Sequence, residues 1–300
     1  PWLPELPARG PWASMVGRAV GVLAGLTVGL DAGEWKLASA SGIDQRRARS
    51  ALGQDLDALE ENAQGVAGPL KVAVCGPWTL ASALFLPLGG RVLGDRGARR
   101  DVAQSLAAGV SDLLGDLRRR LPLLELRLQV DEPSLPAVLA GRVPTEGGFF
   151  RHRSVEPAEA SERLALLSSL TPDSLVHCCA PDVPVGLLTG SGRHGAGFAG
   201  ISLDGTLVDR AGWDAVAAAV EDGHALYLGV ADGLGAASGP DPIVRAALGW
   251  LRPLELGATL ADGLWLTHTC GLAGAASEHV RGQLDALRRA AEHVDEALRS

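Results

Sequence analysis

Long apolar runs are missing from this sequence. None approaches the roughly 20 residues a membrane span requires, although 47% of the 300 residues are hydrophobic. No repeat, low-complexity tract or long linker divides the chain, so a single domain over residues 1–300 is expected. No signal peptide is present, which points to a cytoplasmic protein. The chain opens at Pro1 rather than Met, and its native amino terminus is expected to lie outside this sequence. Cysteine is scarce: Cys75, Cys178, Cys179 and Cys270 are too few for a disulfide-built scaffold, and two of them are adjacent. Reduced thiols, structural or metal-binding, are the better reading. Positive charge is in deficit, with 27 Lys and Arg against 35 Asp and Glu, and this argues against nucleic acid as a partner. Arg46, Arg47 and Arg49, like Arg118, Arg119 and Arg120, sit among acids in helical segments and read as solvated helix faces. No Gly-rich phosphate loop follows any strand, which removes the usual sign of a nucleotide-binding open sheet.

What is present is alternation. Strand-like runs occur at Leu70–Cys75, Leu124–Asp131, Ser174–Cys179, Phe198–Asp204, Ala225–Val230 and Leu264–Cys270. A possible seventh lies at Leu3–Leu6. Helical patterns cover 11–30, 45–64, 97–119, 156–169, 210–221 and 239–251, and a last helix steps through Val280, Leu284, Leu287, Ala291, Val294 and Leu298. Strand following helix throughout predicts an α/β fold with a parallel sheet and helices outside it. Chemistry-bearing residues recur at strand ends: Asp131 with Glu132, His177 with Cys179, Asp204, and Cys270. Functional groups gather at that face of a barrel, so a TIM barrel is favoured over an open sheet.

His177-Cys178-Cys179 ends an apolar strand. Alternation turns His177 and Cys179 to one face and Cys178 to the other, where it should be inert packing. An imidazole and a thiolate two residues apart suit zinc. Cys270 ends the last strand and Asp204 an intervening one, with Ser202 on its inward side; Asp204 could supply a carboxylate. One alternation turns Leu266, His268 and Cys270 inward together, leaving His268 either a partner of the site or a core histidine. Cys75, before Gly76-Pro77, reads as structural. Around Asp131 the pattern is clearer. Leu124, Leu126, Leu128 and Val130 make a helix-facing row, and Glu125, Arg127, Gln129 and Asp131 make a polar inner row. A polar interior suits a charged ligand such as an amino acid. Glu125 and Arg127 are expected to pair with each other at the barrel floor, and Asp131 and Glu132 to serve the site.

Taken together, these residues resemble the catalytic barrel of the cobalamin-independent methionine synthase family, related to the uroporphyrinogen decarboxylases. Gly76-Pro77-Trp78-Thr79-Leu80 resembles its Gly-Pro-x-Thr turn, and Gln129-Val130-Asp131-Glu132-Pro133 its Gln-x-Asp-Glu-Pro motif. His177-Cys178-Cys179 resembles its His-x-Cys, Ile201-Ser202-Leu203-Asp204 its acidic strand end, and Cys270-Gly271-Leu272 its Cys-Gly-Leu. Order and spacing agree from about residue 66 to 275. The resemblance implies a (β/α)8 barrel whose first strand is missing from this chain. It implies zinc held by His177, Cys179, Cys270 and the carboxylate at 204. Asp131 and Glu132 would be catalytic and, with Ser202, substrate-binding, Asp131 taking the amino group of homocysteine. Zinc would make that thiol nucleophilic for methyl transfer. The chain departs from the family in four ways. Asp204 stands where Glu is usual, Leu234 where a His follows the seventh strand, and Ala83 where an aromatic stacks on the pterin. The first-strand Gly-Ser motif is absent. The lack of the folate-binding amino-terminal barrel of the long enzymes, by contrast, is shared with the family's short, core-type members, which this chain resembles. These departures leave the donor open between methyl-folate and a methylated corrinoid protein, and Ala83 favours the latter. A metal-free decarboxylase of the related type and a non-catalytic zinc-binding barrel are the competing readings.

Overall fold

The row Leu124, Leu126, Leu128 and Val130 is apolar and its alternate row polar, and a strand must send the two rows to opposite faces. In the computed structural model of this chain that rule builds a parallel sheet. The structure describes residues 1–40, 42–236 and 239–300, the side chain of residue 193 excepted. Strands β1 (Thr27–Asp31) and β2 (Glu34–Ala38) form an antiparallel hairpin. Strands β3 (Gly68–Cys75), β4 (Leu124–Asp131), β5 (Ser174–Cys178), β6 (Gly200–Asp204), β7 (Ala225–Ala231) and β8 (Leu264–His268) form one sheet in sequence order, each neighbour parallel.

Parallel neighbours need crossover connections, and helices provide them. Helices α1 (Met15–Val22) and α2 (Ile43–Ala63) precede β3, while α3 (Pro77–Ala83) and α4 (Arg96–Arg120) link β3 to β4. Helices α5 (Leu135–Leu139) and α6 (Pro157–Ser168) lead to β5, α7 (Val185–Thr189) to β6 and α8 (Arg210–Glu221) to β7. Helices α9 (Asp241–Leu251) and α10 (Gly257–Gly263) lead to β8, and α11 (Ser277–Arg299) closes the chain. The result is the expected α/β plan, a curled parallel sheet of half-barrel form; an eight-stranded closure is not formed among the described residues. No helix among them is long and apolar enough to cross a membrane.

Two expectations are corrected. The helix expected over 11–30 stops at Val22. Residues 27–38 alternate instead and pair across Ala32 and Gly33, both at positive φ (50° and 85°), a turn that favours a hairpin. The seventh strand expected at Leu3–Leu6 is reduced to one parallel bridge of Trp2 with Lys71 on the free edge of β3. The Lys71 N–H donates to Pro1 and the Leu3 N–H to Lys71. No further rung follows that bridge among the described residues.

The core lies between the sheet's outer face and the helices. Leu128 and Val130 of β4 and Leu106, Leu114 and Leu117 of α4 are wholly buried. Leu128→Ala is expected to lower the urea unfolding free energy by about 2–5 kcal/mol; a loss under about 1 kcal/mol would show that this layer is not the one holding the sheet to α4.

Candidate metal and substrate site

The end of β5 behaves as its alternation requires. Cys178 is wholly buried on the helix side, and burial pushes its thiol up to about 12. His177 pairs in register with Ser202 of β6, and its Nδ1 lies 2.9 Å from the Ser202 Oγ. That contact leaves Nε2 as the ring nitrogen free for a metal.

Cys270 reaches the same place by another route. Trp265 of β8 pairs with Tyr227 of β7, and their rings stack at 5.6 Å. Trp265 and Thr267 therefore face inward, and Leu266 and His268 face the other way. The expected inward facing of Leu266 and His268 is corrected, while Cys270 still reaches the inner-face group. A register shift between Gly229 and Ala231 then alters the path. A Cβ on Gly229 would lie 2.7 Å from the Thr269 Cα, so only glycine lets the chain pass so close. The Thr269 N–H donates to the Ala231 carbonyl, and the next residue, Cys270, turns over the mouth of the sheet. His268 is a buried core histidine against Gln283 of α11, and burial lowers its pKa.

His177, Cys179 and Cys270 thus present ligand atoms that all lie within 4.8 Å of one another. The Cys179 thiol points to the Cys270 sulfur at 3.9 Å. Two thiolates at about 2.3 Å on a tetrahedral ion would stand roughly 3.8 Å apart, so the donor set fits zinc. The Cys270 thiol is held well below its usual range, first by the Cys179 hydrogen bond and then by His177. Cys179 is raised by the same hydrogen bond and by burial. Asp204 is not in the group. Its Oδ1 accepts from the Thr206 N–H at 2.9 Å and from the Thr206 hydroxyl at 2.6 Å, capping the turn that follows β6. Being one methylene shorter than Glu, it closes on its own turn.

The acidic strand end divides its two carboxyls. Asp131, buried, pairs in register with His177 and accepts from the Gln129 side chain at 2.7 Å. Burial raises its pKa, and His177, Gln129 and Lys71 oppose the rise. Glu132 faces away from the metal group and is wholly buried. Its Oε1 accepts from the Trp78 N–H at 2.8 Å, and its Oε2 from the Thr79 N–H at 2.8 Å and the Thr79 hydroxyl at 2.7 Å. The expected catalytic and substrate-binding Glu132 is therefore a positioning residue, because its acceptors are engaged by the start of α3. A Cβ on Gly76 would lie 2.3 Å from that carboxylate, which accounts for the Gly-Pro turn. Cys75 is buried beside the same acids, and its thiol is raised, chiefly by burial.

The sequence reading missed Glu5. Its carboxyl is pushed up to about 7 by burial, with Arg18 opposing and Asp131 adding to the rise. The Trp2–Lys71 bridge carries it to the mouth, where Arg18 approaches at 3.3 Å. Its one signal was an acid set between Pro4 and Leu6 in an apolar opening. The expected Glu125–Arg127 pair does not form among the described residues. Arg127 donates to the Tyr227 hydroxyl at 3.1 Å and lies 4.8 Å from the Trp265 ring centroid, making a floor below the site.

Comparison with protein-family models and with curated protein sequences gives no match. Among solved structures, a B12-independent methionine synthase from Shewanella sp. W3-18-1, in complex with selenomethionine, matches with a TM-score of 0.52. The two chains share 16% identity over 91% of this chain and 75% of that one. The chain shares that protein's fold.

Gly229→Ala is expected to displace Thr269 and weaken metal binding tenfold or more while His177 and Cys179 remain in place; unchanged affinity, by competition with a chromophoric chelator, would remove Gly229 from this role. Burial raises Glu132 from the usual 4.5 to about 7. Its contribution to stability is thus full below 4.5 and is lost as pH rises through 7, on the order of 3 kcal/mol. Urea unfolding across that window should show the decline, and Glu132→Gln should flatten it. An equal slope in the variant would contradict the shift.

Proposed function

We propose that this chain is a zinc-dependent methyltransferase that transfers a methyl group to a thiol, with homocysteine the acceptor. The observation that carries this reading is the convergence of His177, Cys179 and Cys270 at the strand ends of a parallel α/β sheet. Three protein ligands with Asp204 turned aside match a catalytic zinc site, which keeps one position for substrate. Zinc bound there would lower the pKa of a coordinated thiol enough to hold it as thiolate at neutral pH.

The protein groups supply orientation. Asp131 and Glu5 are carboxyls that burial raises, with Asp131 adding to the rise at Glu5, so an arriving ammonium would be favoured there. The B12-independent methionine synthase of the same fold was determined with selenomethionine. An amino acid of that class would set its ammonium against Asp131 and its sulfur toward Cys179 and Cys270. Ser202 holds the His177 ring, and Glu132 holds α3 against the end of β4. In the transfer the acceptor thiol loses its proton and its sulfur attacks the methyl carbon. The new S–C bond forms as the donor–carbon bond breaks, with the electron pair leaving on the donor. Leu234 is exposed and offers no proton acceptor, while exposed Cys270 leaves the group open to water as the proton's destination. Ala83 presents no ring to stack on a pterin, which favours a methylated corrinoid protein over methyl-folate as donor.

Purified protein is expected to hold stoichiometric zinc, Cys270→Ala to lose most of it, and homocysteine to release a proton on binding. Equal zinc in both proteins would remove Cys270 from the site, and zinc without homocysteine-linked proton release would overturn the thiol chemistry. Asp131→Asn should weaken homocysteine tenfold or more with zinc content unchanged. Turnover is expected with methylcobamides; turnover with free methyl-tetrahydrofolate alone would reverse the donor assignment.

A further inference from the structure

The chain carries a net charge of −8, yet one cleft gathers cations. A cavity of about 760 Å³ lies between the start of α4, the segment 145–156 and the first turns of α6, lined by Arg96, Arg99, Arg151, His152 and Arg153. Its acids answer only part of this charge. Glu159 accepts from Arg99 through both oxygens at 3.1 Å and lies 4.0 Å from Arg96. Glu162 pairs with Arg163 at 3.2 Å. Arg151 donates to the Gly148 and Phe150 carbonyls, which are neutral. No ion pair of Arg151 or Arg153 forms among the described residues, and Glu156 is the one lining acid left to face them.

Half-buried His152 completes the basic lining. The cations are presented on a built support. Pro144 bridges Arg151, the Thr145 N–H donates to the Phe150 carbonyl, and the Glu146 carboxylate accepts from the Gly90 N–H. Guanidinium groups bind carboxylates and phosphates in paired fashion, and the volume is that of a small-molecule site. Trp78 ties the cleft to the mouth. Its backbone N–H donates to Glu132, its indole N–H donates to Ala160 of α6 at 3.1 Å, and Arg99 lies 6.0 Å from its ring centroid.

We propose that this cleft binds a small molecule carrying two or more anionic groups, carboxylate or phosphate, beside the strand-end site. The proposal is independent of the zinc chemistry. Calorimetric titration with tricarballylate and with glucose 1,6-bisphosphate, and with glucose as the neutral control, tests it at low ionic strength. At least one anionic probe is expected to bind, and which one binds names the class. Arg151→Ala/Arg153→Ala and the length-preserving Arg153→Gln should weaken it, the double variant tenfold or more. Arg100→Ala, on an exposed side chain paired with Asp101 at 2.8 Å, should leave it unchanged, and metal content should be equal in all. Failure of both probes to bind wild type, equal affinity in the double variant, or an equal loss in Arg100→Ala would overturn the proposal.

Discussion

The carboxylate of Glu132 joins the end of β4 to the start of α3. It is wholly buried and accepts three hydrogen bonds there, from the Trp78 and Thr79 backbone and the Thr79 hydroxyl. The Gly76 N–H donates to the Asp131 carbonyl and the Glu132 N–H to the His177 carbonyl, so β3, β4 and β5 are tied together at the height of the site. A buried charge without partners would be costly. Here the orphan N–H groups of a helix start and a buried carboxylate satisfy each other. Asp131, one residue earlier, is thereby held toward the inner face, with His177 beside it in register.

The candidate metal group of His177, Cys179 and Cys270 depends on that frame from one side and on Gly229 from the other. Cys179 and His177 arrive by strand parity, while Cys270 arrives because a strand without a side chain at 229 admits the backbone of Thr269. Ser202 and the floor of Arg127, Tyr227 and Trp265 support the residues above. Burial raises Glu5, Asp131 and Cys75, Asp131 adds to the rise at Glu5, and both acids add to the rise at Cys75, a concentration of buried acidity that a cationic ligand would relieve. The same helix α3 that Glu132 anchors also holds α6, through the Trp78 indole N–H on the Ala160 carbonyl.

Much of this was legible in residue order. The strand expected at Leu124–Asp131 is β4 to the residue, and the other five strands overlap their expected runs. Period-two alternation survives folding because strand geometry sends successive side chains to opposite faces, and it separated Cys178 from Cys179. It failed where the backbone leaves ideal geometry. The register shift at Gly229–Ala231 broke the parity argument for His268, and the strand expected at Leu3–Leu6 is reduced to a single bridge at Trp2. The pattern at 11–30 looked helical because a hairpin strand and a helix end both place apolar residues within a few positions of each other.

Local sequence by itself determined the α/β order, the inward row of β4 and the pairing of His177 with Cys179, because each depends on neighbours within a few residues. Only the tertiary structure decided which carboxyl is free. Glu132 is engaged by a helix start more than fifty positions away in the chain, Asp204 closes on its own turn, and Glu5 reaches the mouth through a single edge bridge. Such outcomes turn on close approaches between distant segments, and spacing along a chain does not record whether two backbones can come within a methyl group's width.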